Sequence, residues 1–183
     1  MSASDSAPKE TLVMEHLVSL TYEEPLTPIL DRYVDGLLDG HIVGHKCPSC
    51  RRVYVPGKGY CPLCVVETTQ KDEVEVADTG TVTGFTIITP VAYYGQEETE
   101  PFVYASVLLD GASGTLGGQD ISGIPPDQVR MGLRVAAVWK PVDERSMEGL
   151  SARGWGSVAG AITSFTPTGE PDIPREHYQE HII

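Results

Sequence analysis

Apolar residues recur at helical intervals in the first quarter of the chain. They share one face of a predicted helix and are Ile29, Leu30, Tyr33, Val34, Leu37 and Leu38. Thr27 suits the N-cap, Pro28 the first helical position and Gly40 the C-cap. The pattern predicts an amphipathic helix, and its apolar face suits the protein's own core and a partner equally well.

Short β-branched and aromatic runs dominate the second half. The predicted strands are Thr81 to Ile88, Phe102 to Leu109, Thr115 to Ile121, Arg134 to Trp139 and Val158 to Phe165. A turn or brief helix is expected near Pro126 to Val129. Five short strands fit a small Greek-key barrel of OB type, so the fold class is mainly β.

The four cysteines form two matched pairs, Cys47-Pro-Ser-Cys50 and Cys61-Pro-Leu-Cys64. A two-residue gap lets both cysteines of a pair reach one ion, and the ten residues between the pairs allow a short hairpin. The spacing predicts one structural zinc ion in a ribbon from His41 to Cys64. Iron in a rubredoxin-like site is the main rival, and a redox-active cysteine pair is disfavoured because both pairs are knuckles.

Acidic residues number 26 and basic residues 13, which gives a formal charge of −13. This balance disfavours nucleic acid as a general partner, because phosphate binding needs clustered cations. The ribbon is the exception, since it holds Lys46, Arg51, Arg52 and Lys58 and no acid. These cations either offset the thiolates or contact phosphates of a ligand such as coenzyme A, or an acidic partner.

No catalytic residues are predicted. The five histidines lie near the termini or in the strand that enters the ribbon, and no nucleophile elbow or phosphate loop is present. Two long loops carry aromatic residues: Thr89 to Pro101 holds Tyr93 and Tyr94, and Pro141 to Gly156 holds Trp155. These three aromatics are candidate interface residues, although packing on the barrel is an alternative.

The sequence divides into residues 1–26, an N-terminal extension; 27–70, the helix and ribbon; 71–166, the barrel; and 167–183, a tail expected to be extended or mobile. Residues 65–78 are predicted to be a connector. The apolar stretch Leu12 to Leu20 is interrupted by Glu15 and His16, so no signal peptide or membrane span is predicted. The expected location is cytoplasmic.

The order of these parts resembles a family of acyl-CoA-associated proteins with a rubredoxin-like zinc ribbon and an OB-fold, catalogued as a domain of unknown function. The resemblance covers roughly residues 28 to 140. It is carried by Tyr33-Val-Asp-Gly-Leu-Leu-Asp-Gly, by Cys47-Pro-Ser-Cys-Arg-Arg-Val-Tyr-Val-Pro-Gly and Cys61-Pro-Leu-Cys, by Gly80-Thr-Val-Thr-Gly-Phe-Thr and by Met131-Gly-Leu-Arg-Val. Two departures are the missing aromatic after the second knuckle and the long insertion from Pro141 to Gly156.

The resemblance implies an accessory subunit beside a thiolase-like or lipid-transfer-protein-like partner that acts on acyl-CoA thioesters. The reactions it implies are Claisen-type condensation and retro-aldol cleavage of steroid side chains, with the chemistry on the partner. The small subunit would stabilise that partner and help form the CoA channel, and Arg51, Arg52 and Lys58 are candidate phosphate contacts. The alternatives are a nucleic-acid binding module and a free-standing enzyme that acts on CoA thioesters.

Overall fold

The helix begins and ends where its capping residues predict. The structure, a computed structural model, describes residues 25–90, 99–147 and 158–182, together with 12–14, 16, 18, 20 and 23. Helix α1 spans Pro28–Asp39, its Leu30 N–H bonds to Thr27 Oγ1, and Gly40 ends it in the left-handed conformation with a φ of 95°. Its buried face includes Tyr33 and Leu37. The predicted helix is confirmed.

A small sheet follows α1 and forms the ribbon. It consists of β1 (Ile42–Lys46), β2 (Val53–Tyr54) and β3 (Glu73–Val76), in the antiparallel order β2-β1-β3. Strand β3 lies where the sequence predicts only a connector. It belongs to the ribbon because it pairs along β1, from Ile42 opposite Val76 to His45 opposite Glu73.

The second sheet has five antiparallel strands. They are β4 (Thr79–Ile88), β5 (Phe102–Leu109), β6 (Thr115–Asp120), β7 (Arg134–Trp139) and β8 (Ile162–Pro167), in the order β6-β5-β4-β7-β8. The two edge strands approach each other through a parallel bridge between Ile121 and Phe165. A 2.7 Å hydrogen bond between the hydroxyls of Ser122 and Ser164 supports this closure. The mainly β fold with an OB-type barrel is confirmed.

One hydrophobic core joins the helix, the ribbon and the barrel. Val82, Val107, Val135 and Phe165 are fully buried in the barrel. Leu37 of α1 belongs to the same cluster of buried side chains. The helix and ribbon are therefore seated on the barrel through shared apolar contacts rather than held by a linker alone.

The C-terminal tail lies against the barrel. The Ile173 N–H donates to the Gly132 carbonyl at 2.8 Å, Arg130 pairs with Asp172, and Tyr178 is buried. The sequence predicts an extended or mobile tail, but the Tyr178 ring and these bonds fix it in place. No helix in the described part of the chain is long and apolar enough to cross a bilayer.

Candidate metal centre and adjoining groove

Two similar backbone turns present the cysteines. In the first knuckle, the Arg51 N–H donates to the Cys47 carbonyl at 3.0 Å, and in the second the Val65 N–H donates to the Cys61 carbonyl at 2.9 Å. Arg51 and Val65 both take positive φ values, 64° and 54°. The left-handed residue after each pair turns the chain back, and the amides of the turn then point toward the sulfur atoms.

The four predicted metal ligands come together. The Sγ atoms of Cys47, Cys50, Cys61 and Cys64 all lie within 4.8 Å of one another, and those of Cys50 and Cys61 are 3.7 Å apart. A tetrahedral zinc site with Zn–S bonds of about 2.3 Å has sulfur–sulfur edges of about 3.8 Å. The sulfur cluster therefore fits one tetrahedral ion. All four positions are supplied by protein, so the site suits a structural rather than a catalytic metal.

The thiols differ in how readily they ionise. Burial raises the pKa of Cys61, but hydrogen bonds from the backbone of Cys64 and Leu63 outweigh it and bring that pKa to about 6. The backbone of Arg52 favours the Cys50 thiolate, yet desolvation and the neighbouring thiols raise its pKa to about 11. Crowded thiols cannot all ionise without a cation between them, which is the electrostatic condition that a bound metal satisfies.

The three predicted phosphate contacts are not placed alike. Arg51 and Arg52 are exposed on the first knuckle. Lys58 lies on the following loop and lines a groove beside the barrel, and neither arginine is among the residues that line it. The predicted interface residues Tyr93, Tyr94 and Trp155 lie outside the described residues.

His45 supports the loop that carries Lys58. Its ring is buried, and Nδ1 lies 3.3 Å from Thr68 Oγ1. A Cβ atom placed on Gly57 would come within 2.4 Å of this ring, so only glycine at this position lets the loop run past the ring. Burial lowers the pKa of His45 and favours its neutral form, although Glu73 opposes the shift.

A groove of about 870 Å³ lies between the helix, the ribbon loop and the barrel. This volume is within the range of small-molecule sites. Its walls are the N-terminus of α1 (Thr27 and Leu30), the loop Val55, Pro56, Gly57, Lys58 and Tyr60, Tyr104 with strand β6, and Val158, Ala159, Ile162 and Thr163. These residues are distant in sequence, so the groove has no linear signature.

Two sets of contacts hold the groove walls together. Val53 of β2 is bonded in both directions to Ser113 of the β5–β6 turn, through Ser113 N–H to the Val53 carbonyl at 2.7 Å and Val53 N–H to Ser113 Oγ at 3.1 Å. Arg145 donates to the Leu38 carbonyl at the end of α1 and to the Lys140 carbonyl, both at 3.0 Å. The guanidinium also lies over the Trp139 ring. The ribbon and the helix are thus each fastened to the barrel.

Known proteins resemble this chain in both parts. The family model described as the ChsH2 rubredoxin-like zinc ribbon domain matches residues 34–67, and the one described as the ChsH2 C-terminal OB-fold domain matches residues 73–140. Together they span more than half of the chain.

Two curated relatives are each named a DUF35 domain-containing scaffold protein. The one from Methanocaldococcus jannaschii is 27% identical over 114 residues, covering 62% of this chain and 78% of its own. The one from Methanothermobacter thermautotrophicus is 26% identical over 116 residues, covering 63% and 84%. A solved structure titled Ltp2-ChsH2(DUF35) aldolase shares the fold, with a TM-score of 0.54 and 21% identity over 79% of this chain and 98% of that one.

Proposed function

Because the chain belongs to the family that combines the ChsH2 zinc ribbon with the ChsH2 OB-fold, we propose that it is a non-catalytic accessory subunit. Its partner is a thiolase-like or lipid-transfer-protein-like enzyme that acts on acyl-CoA thioesters by retro-aldol cleavage, as in steroid side-chain degradation, or by Claisen-type chemistry. The subunit stabilises this partner and helps to form the channel for CoA. The names of the relatives, scaffold protein and aldolase, support this role.

One observation carries the proposal: the described residues build a closed metal site beside a groove. The four thiols are grouped as ligands of a closed metal site. His45 Nδ1 lies 3.3 Å from the Thr68 hydroxyl, and both side chains are buried inside the ribbon. Nucleophilic catalysis needs a base and a nucleophile that both reach the substrate, and burial keeps this pair from doing so.

The metal of the proposal is zinc. Four sulfur ligands at tetrahedral spacing suit both zinc and iron, and the match to a zinc ribbon model favours zinc. Metal analysis of purified protein is expected to give one zinc per chain. A red protein with one iron per chain would instead show that the bound ion is iron.

The partner is tested by purification of the tagged full chain from its source cell. A thiolase-like subunit, identified by mass spectrometry, is expected to co-elute at a fixed ratio and to reassemble with the chain when both are purified separately. If the chain elutes alone at its cellular concentration, and does not assemble with the separately purified thiolase-like subunit, the accessory role is overturned.

The proposed phosphate contacts are tested by separating Lys58 from the arginines. Titration of acetyl-CoA is compared between Lys58→Ala and the double variant Arg51→Ala/Arg52→Ala. Lys71→Ala is the matched control, since Lys71 is exposed and not part of the groove lining. Loss of one charge-assisted contact is expected to weaken binding about tenfold. If Lys58→Ala and the double variant both bind as the unmodified chain does, the cations contact no phosphate.

A further inference from the structure

The two knuckles share one backbone turn but carry different side chains. The Cys47 N–H donates to the Arg52 carbonyl, and the Cys61 N–H donates to the Val66 carbonyl, both at 2.8 Å. Equivalent exposed positions are polar in the first knuckle and apolar in the second: Ser49, Arg51 and Arg52 against Leu63, Val65 and Val66. Because polar residues build the same turn in the first knuckle, the fold does not require apolar residues in the second.

The apolar side chains of the second knuckle are exposed to solvent. We call them the knuckle patch, and its members are Tyr60, Leu63, Val65 and Val66. Leu63 is 63% exposed and Val65 is 81% exposed. The nearest charged residues along the chain are Lys58 before the patch and Glu67 after it. Apolar side chains that are exposed together mark a surface that another protein covers.

Val65 has a backbone conformation that disfavours its own side chain. Its φ of 54° lies in the left-handed region, which β-branched residues rarely adopt and which glycine and asparagine adopt readily. Arg51, at the same place in the first knuckle, has an unbranched side chain in this conformation. The exposure of Val65 means that burial does not offset the strain. A strained side chain with no gain inside the chain points to a role in contact with another molecule.

The cations beside the knuckle patch indicate the kind of partner. Arg51 and Arg52 are exposed on the first knuckle, which lies next to the second because both turns contribute to one sulfur cluster. Lys58 is exposed two residues before Tyr60. The proposed function assigns these three cations to the phosphates of a CoA thioester. A partner that holds the thioester therefore approaches the ribbon beside them, and the apolar surface at that place is the knuckle patch.

A second copy of this chain suits the knuckle patch less well. The formal charge of −13 makes two copies repel each other. Docking of the ribbon tip of one copy on a different surface of the next copy would also extend into an open chain of subunits unless the rotation between them closes a ring. The charge therefore favours a different protein as the occupant.

We propose that the knuckle patch anchors this chain on an apolar surface of the thiolase-like partner, beside the CoA thioester that the partner holds. This inference rests on the proposed function, because that function supplies the partner and the thioester. It adds the surface of this chain that holds the partner. A stable interface has about 20–30 residues on each side, so this small patch is the anchor and other surfaces complete the contact.

The test measures the affinity of the full chain for the thiolase-like subunit obtained by co-purification, using calorimetry. Leu63→Ser gives the second knuckle the residue that Ser49 provides in the first. Val65→Asn places a residue that tolerates the left-handed conformation at the strained position. Each substitution is expected to weaken binding of the subunit about tenfold, and the double variant more, because the removed side chains are the buried anchors of the interface.

Stability separates docking from a structural role. Val65→Asn relieves the strained conformation, so the free chain is expected to melt at the same temperature or higher and to keep its metal content while it binds the subunit more weakly. A fall in melting temperature and metal content that accompanies the loss of binding would assign Val65 to folding and overturn the proposal.

Met131→Ser is the matched control. Met131 is a large apolar residue of the barrel that is 42% exposed, and it lies outside the knuckle patch. This variant is expected to bind the subunit as the unmodified chain does. A loss of affinity equal to that of Leu63→Ser would show that the effect is not specific to the knuckle, and the proposal would fail.

The remaining outcomes identify what covers the patch. Light scattering that shows self-association of the unmodified chain, abolished in Leu63→Ser, would assign the patch to a second copy and overturn the proposal. A subunit that binds the unmodified chain and the double variant equally well removes only this inference. If the unmodified chain binds no thiolase-like subunit, the proposed function fails together with it.

Discussion

The ribbon and the barrel are stabilised in different ways. The ribbon has three short strands, and at its tip the chain folds around four sulfur atoms instead of apolar side chains. The barrel has five strands and a core with fully buried Val82, Val107, Val135 and Phe165. The ribbon tip thus offers the donor set of a metal site where the barrel has apolar side chains, although the two parts meet along one groove.

The largest expected effect comes from removing a buried metal ligand. Cys47→Ser should lower the metal content from one ion per chain to a small fraction, since structural zinc contributes roughly 10–16 kcal/mol in isolated zinc-finger peptides. Hydrogen exchange should then rise across both knuckles and β1 while the amides of β5 stay protected. Retention of stoichiometric metal, or equal loss of protection in β5, would show that the two parts are not separable in this way.

The next effect is in the barrel core. Phe165→Ala removes a fully buried ring and should destabilise the protein by about 3–5 kcal/mol. The change is measured by urea denaturation followed in the barrel, with metal content as the second readout. Metal should remain bound in the native state, and its loss there would contradict the division between the two parts.

A smaller effect is expected where α1 meets the barrel. Arg145→Lys keeps the charge but loses the planar donors that reach the Leu38 and Lys140 carbonyls, and should cost about 1–2 kcal/mol. Lys140→Arg, which exchanges the same two residue types five positions earlier, serves as the control. A variant as stable as the unmodified protein would show that Arg145 does not fasten the helix.

The smallest effect is a surface ion pair of the barrel. Arg134 donates two hydrogen bonds to Asp110, and they hold the pKa of Asp110 below its usual 3.8. A lowered pKa in the folded state stabilises the protein above pH 4, and this contribution is lost as the pH falls through the folded pKa. Since the carboxylate is partly exposed, Asp110→Asn should cost less than about 1 kcal/mol at pH 7.

The difference between Asp110→Asn and the unmodified protein should shrink toward zero below pH 3.8, when thermal unfolding is followed across the acid range. Asp143→Asn, at an exposed position, is the control substitution. If the difference in stability grew as the pH fell, its sign would be opposite to this prediction, and the Asp110–Arg134 ion pair could not be its cause.

Local rules predicted most of the fold. Thr27, Pro28 and Gly40 fixed the ends of α1 because caps act within a few residues, and the knuckles followed from the spacing of the cysteines. Strand β3 does have a strand pattern, because Glu73-Val-Glu-Val alternates between polar and apolar residues as a half-buried strand does. The acidic residues around it favour a connector instead, which is why the sequence analysis misses this strand.

The remaining features depend on contacts between distant segments. Arg145 caps a helix that ends more than a hundred residues earlier, and the groove joins Leu30, Lys58 and Gly117 only after folding. The register shift between β5 and β6, in which Gly117 and Gly118 lie, likewise forms only when the two strands pair.

In the proposed complex, this chain binds and supports while its partner makes and breaks bonds. The direct measurement is turnover of an acyl-CoA thioester by three preparations: this chain alone, the thiolase-like partner alone and the two combined. We expect no turnover by this chain, little by the partner and full activity by the pair. Turnover by this chain alone, at a rate comparable to that of the pair, would contradict it.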